Sequence, residues 1–397
     1  MNNKNIYFKF KRYLWMIKLT FLFLYCSILL LLLYNSYYKI LYVYQFTKNK
    51  IEKFYKFCNN GILLNKKKFK NNDNPKISII TPIYNKEKYI LRYLRSIQNQ
   101  FFDDIEIILV DDNSEDKTIK LIEEYKIVDE RIILIKNKKN KGTLISRNEG
   151  VFKSKGRYLI FLDPDDLLSY NILNNIYNIV HKYDYDIIRF NMYEGKGKIN
   201  LESIVINIID KKIFQPELSS YLFYGLGKIE ELDYYITNKL IKREIFIKSL
   251  NLINQYFLNQ YMIDCEDGLI NFMLYRTAKS YYFIKNIGYY YFINEQSITK
   301  ENEGFKKRVK SNFLYLKFIF ENTKNKIIEK NIANYIFLEI YSHHKDFLLN
   351  LFQEINGIEI EFYKEVINLY LKCKFISFEA KQILNQILFV YKNNKKS

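Results

Sequence analysis

Proline and glycine are scarce in this chain, 4 and 12 of 397 residues, and tryptophan occurs once, at Trp15. With almost half the residues apolar, that excludes collagen-like, linker-like and broadly disordered chains. Four cysteines (Cys26, Cys58, Cys265, Cys373) stand far apart, with no CxxC and no histidine at zinc spacing. Neither a zinc site nor a redox compartment follows from them. The phosphate-loop pattern GxxxxGK[ST] is missing, and Gly195-Lys196-Gly197 does not replace it. His343-His344 lacks the HExxH pattern and reads as ordinary packed or surface histidine.

Positive charge is abundant, at a net +19, but it is unevenly placed. Residues 1–75 hold 14 Lys and Arg against Glu52 and Asp73, and Lys392, Lys395 and Lys396 close the tail. The body between is close to neutral. A nucleic-acid binder carries its basic face on the folded domain, so that class is excluded here.

The charge instead flanks an apolar run, Leu19 to Tyr34, which follows Lys9, Lys11, Arg12 and Lys18. Extended through Tyr37-Tyr38 it reaches about 20 residues, enough for a ~30 Å hydrocarbon core. A cleaved signal peptide would need a small-x-small site, which Asn35-Ser36-Tyr37-Tyr38 does not supply. The expected organisation is a basic segment at 1–18, a single-pass signal anchor at 19–38 and a basic stalk at 39–75. Lysines flank the run on both sides, so orientation is not fixed.

From Lys76 the pattern alternates. Short apolar runs at 77–81, 105–110, 132–135, 158–162 and 187–193 read as strands. Amphipathic stretches at 88–99, 118–126, 142–152 and 169–181 read as helices, with Ser114 as a cap for the second. The fold class is therefore α/β, a mostly parallel sheet flanked by helices. Residues 305–391 read as helical, with stripes such as Phe313, Leu316 and Ile319 that serve packing.

Ligands of such sheets bind beyond the carboxyl ends of the strands. Three strands end in polar clusters: Thr81-Pro82-Ile83-Tyr84-Asn85, Asp111 to Asp116, and Asp163-Pro164-Asp165-Asp166. Two carboxylates about 4 Å apart repel by ~4 kcal/mol at an effective dielectric near 20. The Asp163–Asp166 cluster therefore calls for a cation, for which oxygen ligands select Mg²⁺ or Mn²⁺, or for one shared proton. Acids at a helix start, before Leu167, are the plainer alternative. An EF-hand counted from Asp112 fills positions one, three, five and twelve. It fails at Lys117, where the sharp turn needs Gly, and it follows a strand where a helix belongs.

Taken in order, ISIITPIYN (77–85), IEIILVDDNSEDKT (105–118), NKGTLISRNEG (140–150), GRYLIFLDPDD (156–166) and CEDGLINFMLYR (265–276) resemble the family 2 glycosyltransferases. These are inverting enzymes with the GT-A fold, and the resemblance spans roughly 76–300, leaving a helical extension at 301–397. It implies that Thr81, Pro82 and Tyr84 lie against the nucleotide base of a donor. It implies that Asp112, with Asp111 beside it, hydrogen-bonds the uracil of a UDP-sugar, and that Arg147 is a basic residue of the donor pocket. Asp163-x-Asp165 matches the DxD element, with Asp165 and Asp163 toward an Mn²⁺ or Mg²⁺ ion and Asp163 also toward the ribose or sugar. Asp267 matches the catalytic base, whereas the bland reading of Glu266-Asp267 is a polar helix start before Leu269 and Phe272.

Asn113 replaces a common Gly of the family, which Asn tolerates in a turn, and Pro164 interrupts the DxD element without removing a carboxylate. No QxxRW motif is present, which argues against processive synthesis. The resemblance thus implies transfer of one sugar from a nucleotide-sugar to a hydroxyl of a glycan, lipid or protein glycan. Its alternative is a catalytically inactive nucleotide-sugar-binding membrane protein. The expected location is the membrane, in the Golgi or ER of a eukaryote or the cell membrane of a bacterium.

Overall fold

The computed structural model describes residues 69–195, 211–214, 235–292, 304–322, 363–368, 381–382 and 384–385, all within one compact unit. The expected anchor at 19–38, the basic segment before it, most of the stalk, Cys26, Cys58, Cys373, His343-His344 and the charged tail lie outside the described residues. Among the described residues no helix is long and apolar enough to cross a membrane.

The first half alternates strand and helix as its periodicity requires. In order it runs β1 (Ile77–Ile83), α1 (Ile90–Gln98), β2 (Ile105–Asp111), α2 (Thr118–Lys126), β3 (Ile132–Lys136) and α3 (Thr143–Lys153). There follow β4 (Tyr158–Phe161), the two-residue β5 (Leu167–Leu168), α4 (Ile172–Tyr183) and β6 (Ile187–Gly195). After these come β7 (Lys211–Phe214), β8 (Lys239–Lys242), α5 (Arg243–Leu252), α6 (Gln255–Leu258), α7 (Glu266–Thr277), β9 (Ser280–Phe292) and α8 (Gly304–Asn322).

The described strands join one sheet in the order β3-β2-β1-β4-β8-β6-β9-β5, with β7 paired to β9. Pairs β1–β2, β1–β4, β2–β3 and β6–β9 are parallel. Pairs β4–β8, β6–β8, β5–β9 and β7–β9 are antiparallel. The sheet is therefore mixed, which corrects the expectation of a mostly parallel one. The reason is β8, which enters between β4 and β6 in the opposite direction, and β9, a strand that the helical and polar signals around it conceal. The α/β expectation itself holds.

Both faces are covered. Ile77, Ile79, Ile105, Ile107 and Ile160 point to one core with Ile90, Leu94 and Ile97 of α1. Ile80, Ile108, Val110, Leu159 and Phe161 point to the other, with Val151 of α3 and Leu269 and Phe272 of α7. Each such side chain removed from water contributes roughly 1.5–3 kcal/mol. Helix α8 joins the second core through Phe313, Leu316 and Ile319, the stripe read from sequence. Gly156 has to be glycine for space, since a Cβ there would stand 2.6 Å from the Ser78 backbone nitrogen. Glu106 fixes that corner, one oxygen accepting from Ser78 Oγ (2.5 Å), Lys155 N (2.6 Å) and Gly156 N (3.0 Å).

Candidate active site

The carboxyl ends of β1, β2 and β4 open into a cleft of about 250 Å³, whose lining includes Pro82, Tyr84, Lys86, Asp112, Arg147, Asp163, Asp165 and Glu266. A larger recess of about 370 Å³ near Lys76, Arg157 and His181 lies at the opposite, amino-terminal strand ends, away from these carboxylates. Strand polarity places ligands at the carboxyl ends, so the smaller cleft is the candidate site.

Two loops form its floor by clasping each other. After β1, Asn85 adopts φ +51° and its backbone N–H donates to Ser114 Oγ (2.9 Å), while its side chain accepts from Glu115 N (2.9 Å). Lys86 N donates to Thr118 Oγ1 (2.8 Å), Glu87 N to Asp116 (3.0 Å), and Lys117 N to Glu87 (3.0 Å). These bonds consume the acids and hydroxyls that follow β2. Ser114 therefore does not cap α2, whose N-cap is Lys117, and Asp116 accepts from Thr118 N (2.9 Å). Asn113 takes φ +70°, the left-handed turn that sequence reasoning allowed it.

Asp112 is 4% exposed and reaches the loop before α3. Its carboxylate accepts from Asn137 Nδ2 (3.0 Å), Lys141 N (2.9 Å) and Gly142 N (2.7 Å). Gly142 carries φ +89°, the conformation that lets two successive N–H groups converge on one carboxylate. Asp111 accepts from Ser114 N (3.2 Å). Thr81 shares a hydrogen bond with Tyr93 inside the core. Asp111 and Thr81 thus sit behind the cleft, whereas Pro82, Tyr84 and Asp112 line it.

Arg147, on α3, is the electrostatic hub. It is 3% exposed and donates to Asp163 Oδ1 (3.1 Å), Glu266 Oε1 (3.4 Å) and Asp267 Oδ1. Burial opposes its charge, but Asp267, Asp163 and Glu266 outweigh that and hold the guanidinium above its ordinary pKa. Asp163 lies above its ordinary value, because burial and the charges of Asp165 and Asp267 exceed the help of Arg147. Burial first, then the Asp267 charge, push Glu266 up to about 8.

Glu266 and Asp267 do open a helix, α7, whose positive dipole end favours them, so the bland reading and the site reading hold together. Cys265 at the N-cap adopts φ +62° and turns the two acids inward. Asp267 Oδ2 also accepts from Ile236 N (2.9 Å); Glu266 lines the cleft, and Asp267, its neighbour in the first turn of α7, is equally accessible, both side chains being 14% exposed.

The loop after β4 separates its three acids. Asp166, 1% exposed, accepts from Tyr289 Oη (2.6 Å) and Phe292 N (2.9 Å) and so ties the loop to β9. Burial, then Asp165 and Asp163, raise Asp166 well above the usual carboxylate range. Asp165 faces the cleft mouth and pairs with Lys86 Nζ at 2.8 Å, while Arg92 donates to its carbonyl. No helix starts here. Leu167-Leu168 is a short strand and α4 begins at Ile172, which removes the helix-start explanation of the cluster.

Among the described residues no three His, Cys, Asp or Glu side chains converge as metal ligands. Mg²⁺ and Mn²⁺ do not need such a cage, since they take one or two carboxylates and complete their shell with water and phosphate oxygens. Asp165 and Asp163, partly exposed at 20% and 32%, are hard oxygen donors at the cleft and fit that requirement. Lys86 was not singled out from sequence because one lysine among many carries no spacing signal. The contribution of Tyr289 and Phe292 was hidden with their strand.

Residues 78–250 match the family model described as Glycosyl transferase family 2. The chain is 30% identical over 236 residues to the minor teichoic acid biosynthesis protein GgaB of Bacillus subtilis, covering 58% of this chain and 24% of that protein. It is 29% identical over 178 residues to glycosyltransferase GlyG of Streptococcus pneumoniae, covering 43% and 58%. The chain thus spans less than two thirds of the length of these relatives. Among solved structures, S. aureus TarS 1–349 in complex with UDP-GlcNAc superposes with a TM-score of 0.58 at 16% identity, covering 81% of this chain and 92% of that one. That likeness establishes a GT-A-like fold.

Proposed function

We propose that this chain, whose residues 78–250 match the family model described as Glycosyl transferase family 2, transfers a single sugar from a UDP-sugar to an acceptor hydroxyl on a glycan, glycolipid or glycoprotein, with inversion. The observation that carries the reading is Arg147, which joins Asp163 after β4 to Asp267, 120 residues beyond Arg147 in sequence, within one cleft wall. A sheet that needed only stability would not set three partly buried carboxyls around one buried guanidinium, because such groups lose more in desolvation than apolar packing would.

In this reading Tyr84, Pro82 and Asp112 receive the nucleotide base, and Thr81 and Asp111 hold their loops from behind. Arg147 and Asp163 face the diphosphate and sugar. Asp165, with Asp163, would hold Mn²⁺ or Mg²⁺, which supplies electrostatic stabilisation to the departing diphosphate. Asp267 takes the acceptor's proton. Its neighbour Glu266 is raised to about 8 by burial and then by the Asp267 charge, so the two adjacent carboxyls need not share one role. Expected partners are the donor, the acceptor and a membrane reached through residues 19–38. The bacterial relatives favour the cell membrane of the two locations considered.

The test is UDP release and sugar transfer by the full chain from UDP-GlcNAc and other UDP-sugars with Mn²⁺. Asp267→Asn should lower turnover by about 10²–10⁴ while leaving donor binding in place, the usual worth of a positioned base. Asp165→Asn should abolish the Mn²⁺ dependence together with turnover. Wild-type rates in both folded variants would remove the assignment.

A further inference from the structure

Among the described residues two cations, Lys86 and Arg147, line the cleft, and they are committed differently. Arg147 is bound by Asp163, Glu266 and Asp267, so its charge is already shared among protein carboxyls. Lys86 has one carboxylate contact, Asp165 at 2.8 Å, with the two side chains 21% and 20% exposed. A monodentate, partly hydrated pair of this kind is weak and easily exchanged.

The anchoring of the two residues is independent of their pairing. The Lys86 backbone is fixed by Thr118 Oγ1 at its N–H and by Tyr89 N and Ile90 N at its carbonyl, both 3.0 Å. The Asp165 carbonyl accepts from Arg92. Breaking the pair therefore moves only a four-carbon side chain and a carboxylate, and neither loop is released. The ammonium also lies 5.8 Å from the Tyr89 ring, a second resting place beside the cleft.

A sugar diphosphate brings more negative charge than this cleft neutralises when its guanidinium already faces three carboxyls. We propose that Lys86 is a displaceable counter-cation and phosphate ligand: it neutralises Asp165 in the donor-free protein and moves to the diphosphate oxygens when the donor enters, which frees Asp165 as an oxygen ligand. This rests on the donor reading above. It has a specific consequence, because Lys86 and a divalent cation then compete for Asp165 without nucleotide and cooperate with it present.

The experiment is calorimetric titration of the full chain and its Lys86→Met, Lys86→Arg and Asp165→Asn variants. The probes are UDP and uridine in EDTA, and Mn²⁺ without nucleotide. Lys86→Met should bind UDP in EDTA roughly tenfold more weakly, the loss of one charge-assisted bond to phosphate, with uridine affinity unchanged. The same variant should bind Mn²⁺ severalfold more tightly, since the competing ammonium is gone. Lys86→Arg should recover most of the UDP affinity. Asp165→Asn should bind UDP in EDTA at least as tightly as wild type, because it releases Lys86. A folding defect would weaken uridine and UDP together, so the split between them is the diagnostic. Wild-type UDP affinity in Lys86→Met, or equal losses for UDP and uridine, would overturn the proposal. A wild-type chain that bound neither UDP nor uridine under any condition would overturn the donor reading itself.

Discussion

Replacing Arg147 with Met is the most informative single perturbation of this molecule. The side chain is 3% exposed and serves Asp163, Glu266 and Asp267 at once, so Met fills much of its volume and removes all of its charge. Taking one partner from a buried ion pair costs about 3–5 kcal/mol when the other stays charged. Carboxyls have an escape, since each further pK unit of upward shift is worth about 1.36 kcal/mol. Glu266 already stands at about 8 against an ordinary 4.5, and Asp163 is raised too. Without Arg147 both rise further. A group whose folded pKa exceeds its unfolded one favours the fold below the unfolded pKa and withdraws that support as pH climbs through the folded value. The variant should therefore lose about 1–2 kcal/mol near pH 5, from packing and hydrogen bonds, and about 4 kcal/mol near pH 8. Urea unfolding of wild type and variant at both pH values measures it. Equal losses at the two pH values, or a larger loss at the acid end, would refute the account of Arg147 as the counter-charge of this cluster.

Two further outcomes separate structure from site. Asp129→Ala leaves the Arg131 guanidinium, which donates to Asp129 at 2.8 and 2.7 Å and lies 3.9 Å over the Phe69 ring, with the more distant, half-exposed Asp103 carboxylate at 3.9 Å. It should destabilise the fold by about 3–5 kcal/mol in urea titrations and leave UDP affinity unchanged, because the pair lies away from the cleft. Gly156→Ala places a Cβ 2.6 Å from Ser78 N and 2.8 Å from the Ile77 carbonyl carbon, backbone atoms that cannot yield. A loss of about 1–3 kcal/mol in thermal or urea unfolding is expected, and a neutral result would mean the β1–β4 corner relaxes more than a packed sheet allows.

The first half of the fold was legible because each apolar run is short, continuous and bounded by polar residues. Thr118–Lys126 is a helix over the residues its periodicity names, and Ile105–Asp111 extends the expected strand by one residue. The second half was not. Lys239–Lys242 reads KLIK, which no alternation distinguishes from a helix start, and it forms a central antiparallel strand. Ser280–Phe292 is rich in tyrosine and interrupted by Gly288, and its pairing with β5, β6 and β7 defines it as a strand. The candidate cleft followed from strand polarity plus the motifs, which brought Pro82, Tyr84, Asp112, Arg147, Asp163 and Asp165 to one place. Lys86 and the inward face of Glu266 needed coordinates, since neither residue type nor spacing sets them apart from other surface charges.

What separates the carboxylates proposed to act at the site from structural ones is the source of their donors. Asp116 and Asp166 receive backbone N–H groups or a tyrosine hydroxyl, partners that are fixed and cannot leave without unfolding a loop. Asp163 and Asp165 are held at the cleft by Arg147 and Lys86, charges on flexible stems. A ligand that brings its own charge competes with a side chain far more readily than with a peptide group, because exchange costs a rotamer and no secondary structure. Asp267 combines the two, with Ile236 N at one oxygen and Arg147 at the other. That arrangement fixes the orientation of the carboxylate while leaving its charge to be set by a neighbour that the incoming donor would itself engage. Reading clustered acids by their donors therefore predicts which substitutions unfold the chain and which alter only chemistry, a distinction their spacing in sequence does not contain.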